Sequence, residues 1–242
     1  MEVVIHAEEL FRIGYLPVTN ALLLSAVSLI FLSTIGVLFK RQIVLVPGKF
    51  QNAVEFSFEG LLDFVDSILY DRKKTEKYFS LIATVFFFIL VSNWLGLLPG
   101  VGSLLYNGHD TAFPLLRSPA SDLNFTIALA LIAVLSVNVL GMIAIGFTKH
   151  ASKFFTIKSP IDFFVGLLEF ISEIAKIISF SFRLFGNVFA GEVLLTIIMF
   201  LVPYVIPLPF LMLEIFVGFI QAFVFAMLVT VFIGMATAET SH

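Results

Sequence analysis

Apolar and polar positions along the chain alternate between long uncharged runs and short charged breaks, and the runs predict helices. Leu16 to Phe39 carries no charge and is long enough to cross ~30 Å of hydrocarbon at ~1.5 Å per helical residue. Lys40 and Arg41 stop it. Tyr78 to Pro99 is a second uncharged span that ends in Trp94 and the Leu97-Leu98-Pro99-Gly100 break, with the Trp expected at the membrane interface. Leu123 to Thr148 is a third, with Ser121 or Asp122 as its helix cap. Between the first two spans, Phe50, Val54, Phe58, Leu61, Val65 and Ile68 recur every three or four residues, while Gln51, Glu55, Glu59, Asp63 and Asp66 fall elsewhere. This predicts an amphipathic helix over 50–70, lying flat at the membrane surface. Its polar face is acidic, so it is not built to attract anionic lipid; packing against a partner subunit suits it better.

The last third is different. Ser159-Pro160-Ile161-Asp162 has the pattern of a helix start, with Ser as cap, Pro at the first position and an acid in the first turn. No proline follows until Pro203. The result is a helix of roughly 40 residues or ~60 Å, about twice a perpendicular span. A single Gly186 without Pro or a polar cluster is a poor turn signal, so one long oblique helix is expected. Pro203, Pro207 and Pro209 make the return, and a last overlong helix follows to Ala238. The expected fold is therefore all-α integral membrane, one membrane domain over 1–242. Five transmembrane helices (16–39, 78–99, 123–148, 161–202 and 208–238) are joined by one interfacial helix, and the last two form a long tilted hairpin.

Composition strengthens the class. Hydrophobic residues make up 60% and charged ones 13% of the 242, with a mean hydropathy of +1.07. A soluble domain needs about a quarter charged residues to cover its surface, so lipid must cover most of this one. The 30 Phe residues fit lipid-facing bulk. With no cysteine, disulfides and thiolate metal sites are excluded. A net charge of −3 gives no pointer to nucleic acid, and the acidic N-terminus (Glu2, Glu8, Glu9) does not resemble a cleavable signal peptide. Ten of the 14 Lys and Arg residues fall in the two loops after spans one and three, and only Arg12 and Arg117 on the opposite side. The positive-inside rule then predicts an outside N-terminus and a cytoplasmic C-terminus, with five spanning helices between them.

Charges inside the spans carry the chemistry. Each costs at least ~2.5–3.5 kcal/mol at mid-membrane and needs a reason to be there. From Glu169 through Glu173, Lys176, Phe180 and Arg183 to Asn187 the steps are 4, 3, 4, 3 and 4, one stripe along a helix. Glu173 and Lys176 can form a local ion pair; Glu169 and Asp162 can be solvated interfacial acids. Arg183 lies too deep to reach water by snorkelling. Glu192 follows nine residues on, roughly 13 Å toward the outside. If the last two helices pair about Tyr204, Glu214 falls level with Leu194, close to Glu192, and Gln221 falls level with Asn187. The expectation is an outer acidic pair, an amide pair beside the arginine, and an inner acidic group. Two carboxylates in a low-dielectric site can share a proton near neutral pH, which suits a relay. Arg183 cannot deprotonate, so it acts as a barrier or as a counter-charge. No carboxylate is expected at its depth in this chain, which places its partner on another subunit.

The segment Ser181-Phe182-Arg183-Leu184-Phe185-Gly186-Asn187-Val188-Phe189-Ala190-Gly191-Glu192 resembles the signature of subunit a of the F-type ATP synthase in its bacterial form. Asn93-Trp94-Leu95-Gly96-Leu97-Leu98-Pro99, Pro119-Ala120-Ser121-Asp122-Leu123-Asn124 and Gln221-Ala222-Phe223-Val224-Phe225 support it, and the resemblance runs from about Pro47 to Ala238. It implies a proton-conducting stator subunit beside a rotating ring of c subunits and peripheral-stalk b subunits, with two offset half-channels. It also implies that Arg183 faces the ring carboxylate and blocks a proton short-circuit. Glu192, Glu214, Asn187 and Gln221 match positions of the outer half-channel and hairpin; Glu169 and Ser172 match the inner, exit side, with Glu173 alongside. Two departures stand out: Glu214 where some members carry His, and Gly96 where some carry an acid, the latter expected to remove only a peripheral group. No cofactor or metal is implied, and no nucleotide-binding motif occurs, so ATP chemistry happens elsewhere. The rival class is a secondary transporter or ion channel with its own substrate site, against which stand the lack of an inverted repeat and of broken half-helices. A purely structural assembly subunit is the third reading.

Overall fold

The computed structural model describes residues 7–44, 46–98, 101, 105–107, 112–152 and 160–238. The chain enters through a hairpin rather than through helix: β1 (Glu9–Ile13) pairs antiparallel with β2 (Leu16–Thr19). Gly14, at φ 65°, supplies the left-handed turn between them. The first span thus starts at Asn20, not Leu16. Pro17 sits in the strand, and the Thr19 hydroxyl accepts from the Leu22 N–H at 3.2 Å, capping α1 (Asn20–Gln42). Asn20 is fully buried and ties the hairpin to the segment between α3 and α4 by donating from Nδ2 to the Pro114 carbonyl at 3.2 Å. That carbonyl lies in a second small hairpin, β3 (Leu105–Asn107) with β4 (Ala112–Pro114).

Helix α2 (Lys49–Leu69) is the amphipathic element. Leu61 and Val65 of its apolar stripe are buried in the core of this chain, Phe58 stacks on Phe87 (4.9 Å between centroids), and Phe64 meets Phe223 (4.4 Å). The second half of the apolar face is thus packed on α3 and α7, whereas Phe50 and Phe56 nearer its start stay exposed together with the acidic face. Tyr70, in the left-handed conformation, ends α2, and Asp71 caps α3 (Arg72–Gly96) through the N–H groups of Lys73 and Lys74. The Pro99-Gly100 break and Ser159 lie outside the described residues. A 3-10 turn (Pro119–Ser121) leads into α4 (Leu123–Ile145), whose cap is Asp122, not Ser121. Gly146, at φ 95°, ends α4 before the short α5 (Phe147–Ser152).

The long helix is continuous. α6 runs Pro160–Leu201 through Gly186 without a break, and α7 (Pro207–Thr237) returns after the Pro203–Ile206 turn. Five helices (α1, α3, α4, α6 and α7) are long and apolar enough to cross a membrane. α7 is central, packing on α2, α3, α4 and α6. Its small residues permit this: Gly218, Ala222 and Ala226 are buried where neighbouring backbones come close. Asn93 donates to the Gly218 carbonyl at 3.3 Å, and the Trp94 indole to the Ile215 carbonyl at 3.0 Å. Trp94 is therefore a lock between α3 and α7. Several hydroxyls within the spans bond back to their own helix, as Thr230 does to the Ala226 carbonyl at 2.8 Å and Thr237 to the Ile233 carbonyl at 2.7 Å, which satisfies those donors in hydrocarbon.

Candidate functional site along the last hairpin

Register between α6 and α7 sets the site. Phe180 packs on Phe225 with centroids 4.6 Å apart, and Gly191 faces Glu214. Glu214 is therefore level with Gly191 rather than with Leu194, three residues nearer the start of α6 than expected. The carboxyl group of Glu214, 8% exposed, occupies the space where a side chain on residue 191 would begin. Glycine is required there by close approach, not by backbone conformation. Gly191→Ala should displace the Glu214 carboxyl and lower proton flux by about tenfold or more, since a misplacement of ~1 Å can cost 10²-fold. Passive proton uptake by vesicles checks this; unchanged flux would show that the Glu214 position is not used.

The outer acids do not pair with each other as expected. Glu192 instead holds Arg117, whose Nε lies 3.1 Å from Oε1, with side-chain exposures of 36% and 7%. The same Nε donates to Ser121 Oγ at 3.0 Å, and Ser121 Oγ donates to the Ser118 carbonyl at 2.9 Å. The Pro119-Ala120-Ser121-Asp122 segment is thus the frame that seats Arg117, a residue sequence reasoning left in a loop. The available signal was a lone outer-side cation next to that motif, on the side where both acids fall. Gly96 belongs to the same frame: a Cβ there would lie 2.7 Å from the Ser118 Cβ, so an acid cannot replace it without moving the turn. The expectation that Gly96 concerns only a peripheral group is corrected accordingly. Glu214 makes no hydrogen bond to any described residue, which leaves its carboxyl to solvent or a transferable proton.

The amides also separate. Gln221 is buried within the bundle, whereas Asn187 is exposed on the outer face of α6, and no hydrogen bond joins them. Arg183 is exposed on that outer face too, and donates only to Ser179 Oγ, at 3.3 Å. It forms no ion pair with a described carboxylate. Below it, a cavity of about 380 Å³ between α6 and α7 is lined by Ser172, Lys176, Ser179, Arg183, Phe232 and Met235 among others. The single stripe expected from spacing splits here. Glu173 turns toward α4, where Asn138 donates to its Oε2 at 3.0 Å, and pairs with Lys176 at 2.5 Å. Phe180 is buried in the core, and Glu169 is half-buried beyond Glu173. No group of three or more metal-ligating side chains occurs among the described residues.

Five helices long and apolar enough to span, with two ion pairs, Arg117–Glu192 and Glu173–Lys176, set among them, define a multi-pass membrane protein. Residues 21–234 match the family described as ATP synthase A chain. ATP synthase subunit a of Campylobacter jejuni subsp. doylei is 33% identical over 212 residues, covering 86% of each chain. That of Sulfurihydrogenibium sp. is 31% identical (88% of this chain, 95% of the relative), and that of Gloeobacter violaceus 34% (87% and 81%). The chain belongs to the ATP synthase A chain family, and so is a proton-translocating membrane component of that enzyme.

Proposed function

We propose that this chain conducts protons through two offset half-channels against a ring of c subunits and turns proton flow into ring rotation, with Arg183 as the divider. The carrying observation is the contrast among the charges of α6. Glu173 and Lys176 hold each other and Glu192 holds Arg117, whereas Arg183 points out of the bundle with one long hydrogen bond to Ser179. A guanidinium at membrane depth is expensive without a counter-charge, so its partner must approach from outside the chain. A carboxylate on a moving ring fits, because a permanent partner would hold the cation fixed.

In this reading protons enter from the outside by Glu192 and Glu214 and reach the ring past Gln221 and Asn187. They leave after a turn of the ring by the cavity at Ser172, with Glu169 and Glu173 on the inner side. The N-terminus lies outside and the C-terminus in the cytoplasm; the acidic face of α2 is left for the peripheral-stalk b subunits. Each charge crossing 100 mV releases ~2.3 kcal/mol to drive rotation.

The chain has no cysteine, so Asn187→Cys introduces a single thiol on the exposed face beside Arg183. It should form a disulfide with a cysteine placed next to the ring carboxylate. Failure to cross-link in the assembled complex would overturn the ring-facing assignment. Glu192→Gln should cut proton flux by about 100-fold, the scale of losing a positioned proton-transfer group. Undiminished flux would remove the outer acid from the path.

A further inference from the structure

His150 lies apart from every position used above. It is 4% exposed, in the short α5 that folds back on α4 after Gly146. Gly141 gives it room, since a Cβ there would lie 2.9 Å from His150 Cε1 and 3.1 Å from Ala236 Cβ. The imidazole Nε2 is 3.1 Å from Asn138 Oδ1. Asn138 Nδ2 donates to the Val134 carbonyl and to Glu173 Oε2, both at 3.0 Å. An amide nitrogen has two hydrogens, and both are used. The oxygen therefore faces His150, and Nε2 carries the hydrogen between them. Nε2 donates in the neutral and in the charged imidazole alike, so this link does not depend on whether His150 titrates.

The link continues to the path. Glu173 Oε1 takes the Lys176 ammonium at 2.5 Å, and the ammonium lies 4.8 Å over the Phe232 ring. Lys176 and Phe232 both line the cavity that ends at Arg183. Four side chains thus run from the loop after α4 to the cavity wall. We infer that His150 is a positioning residue of the inner path: through Asn138 it holds Glu173 on Lys176 and keeps that ammonium neutralised beside Arg183. Without it Lys176 becomes a second unpaired cation on the cavity wall, which repels protons leaving past Ser172. The inference rests on the proposed use of this cavity.

Proton uptake driven by a potassium diffusion potential, in vesicles carrying the intact complex, tests it. His150→Gln keeps a donor and should conduct within about twofold of the parent, whereas His150→Leu should lose roughly tenfold, the scale of a displaced positioning group. The deciding measurement is the same substitution in a Lys176→Gln background. With no ammonium to unmask, His150→Leu should there change flux by less than about twofold, a coupling that a double-mutant cycle isolates. A tenfold loss in both backgrounds makes His150 a purely structural residue and overturns the inference, as does parental flux in His150→Leu. Should His150→Leu fail to assemble, Asn138→Leu, with the same γ-branched shape and without new charge, carries the same cycle, and the same flux changes support or overturn the inference. An Arg183→Ala control, read by ATP synthesis under an imposed proton gradient, that keeps synthesis rejects the reading of the cavity itself. Loss in that control with no effect at His150 rejects only the His150 role.

Discussion

Arg183→Ala should abolish proton-driven ATP synthesis in membranes that carry normal amounts of the assembled complex. A guanidinium and a carboxylate ~4 Å apart attract by about 4 kcal/mol at an effective dielectric of 20, so the expected loss is roughly a thousandfold. Two measurements define the result. ATP synthesis driven by an imposed proton gradient falls to background, while passive proton leak does not fall with it, because a barrier between the two paths has been removed. Arg183→Lys separates charge from geometry: it restores a cation, but a compact one that can give up its proton in a dry site. Its synthesis should lie between parent and Ala. Near-normal coupling in Arg183→Ala would end the divider role, since no other described side chain occupies that place on the outer face of α6.

The second large effect concerns Arg117. Arg117→Leu leaves Glu192 without its ion-pair partner and Ser121 Oγ without a donor. Removing one member of a buried pair costs about 3–5 kcal/mol, and with Glu192 36% exposed the lower end applies. The first readout is the amount of complex in the membrane, which should drop several-fold. The second is flux per complex, which should fall because Glu192 is free to leave the depth at which Glu214 meets Gly191. Arg117→Leu combined with Glu192→Leu should recover the amount of complex without recovering flux, because the unpaired charge is gone and so is the proton-carrying group. Recovery of both in the double variant would make the pair a structural clamp outside the path.

The two effects differ in kind. In the proposed reading Arg183 acts on a partner outside the chain, so its loss should change coupling more than assembly. Arg117 acts on its own chain, so its loss should show in both. This difference follows from burial: Arg117 is 7% exposed and ion-paired, whereas Arg183 lies exposed on the outer face of α6.

Long uncharged apolar runs made the spanning helices legible because in lipid each spanning segment satisfies its own backbone, and so declares itself locally. The uninterrupted α6 was readable for the same reason: a lone Gly186 does not break a helix whose hydrogen bonds have no competitor in the membrane. The start of α1 was not, since Leu16–Thr19 is apolar enough to extend the span and only its pairing with Glu9–Ile13 makes it a strand.

Within the site, the sequence by itself determined which residues are costly in a membrane, and so singled out Arg183, Glu173, Glu192 and Glu214. A charge in an apolar run needs no neighbour to be conspicuous. Tertiary structure alone decided their partners. The α6–α7 register moved Glu214 onto Gly191, the turn at Pro119–Ser121 brought Arg117 to Glu192, and α5 brought His150 to Asn138. Those contacts join residues far apart along the chain, and helical periodicity fixes a face only relative to its own axis. Which face meets which neighbour is settled by close packing of small residues such as Gly191, Gly218 and Gly141, whose role emerges only once another helix lies against them.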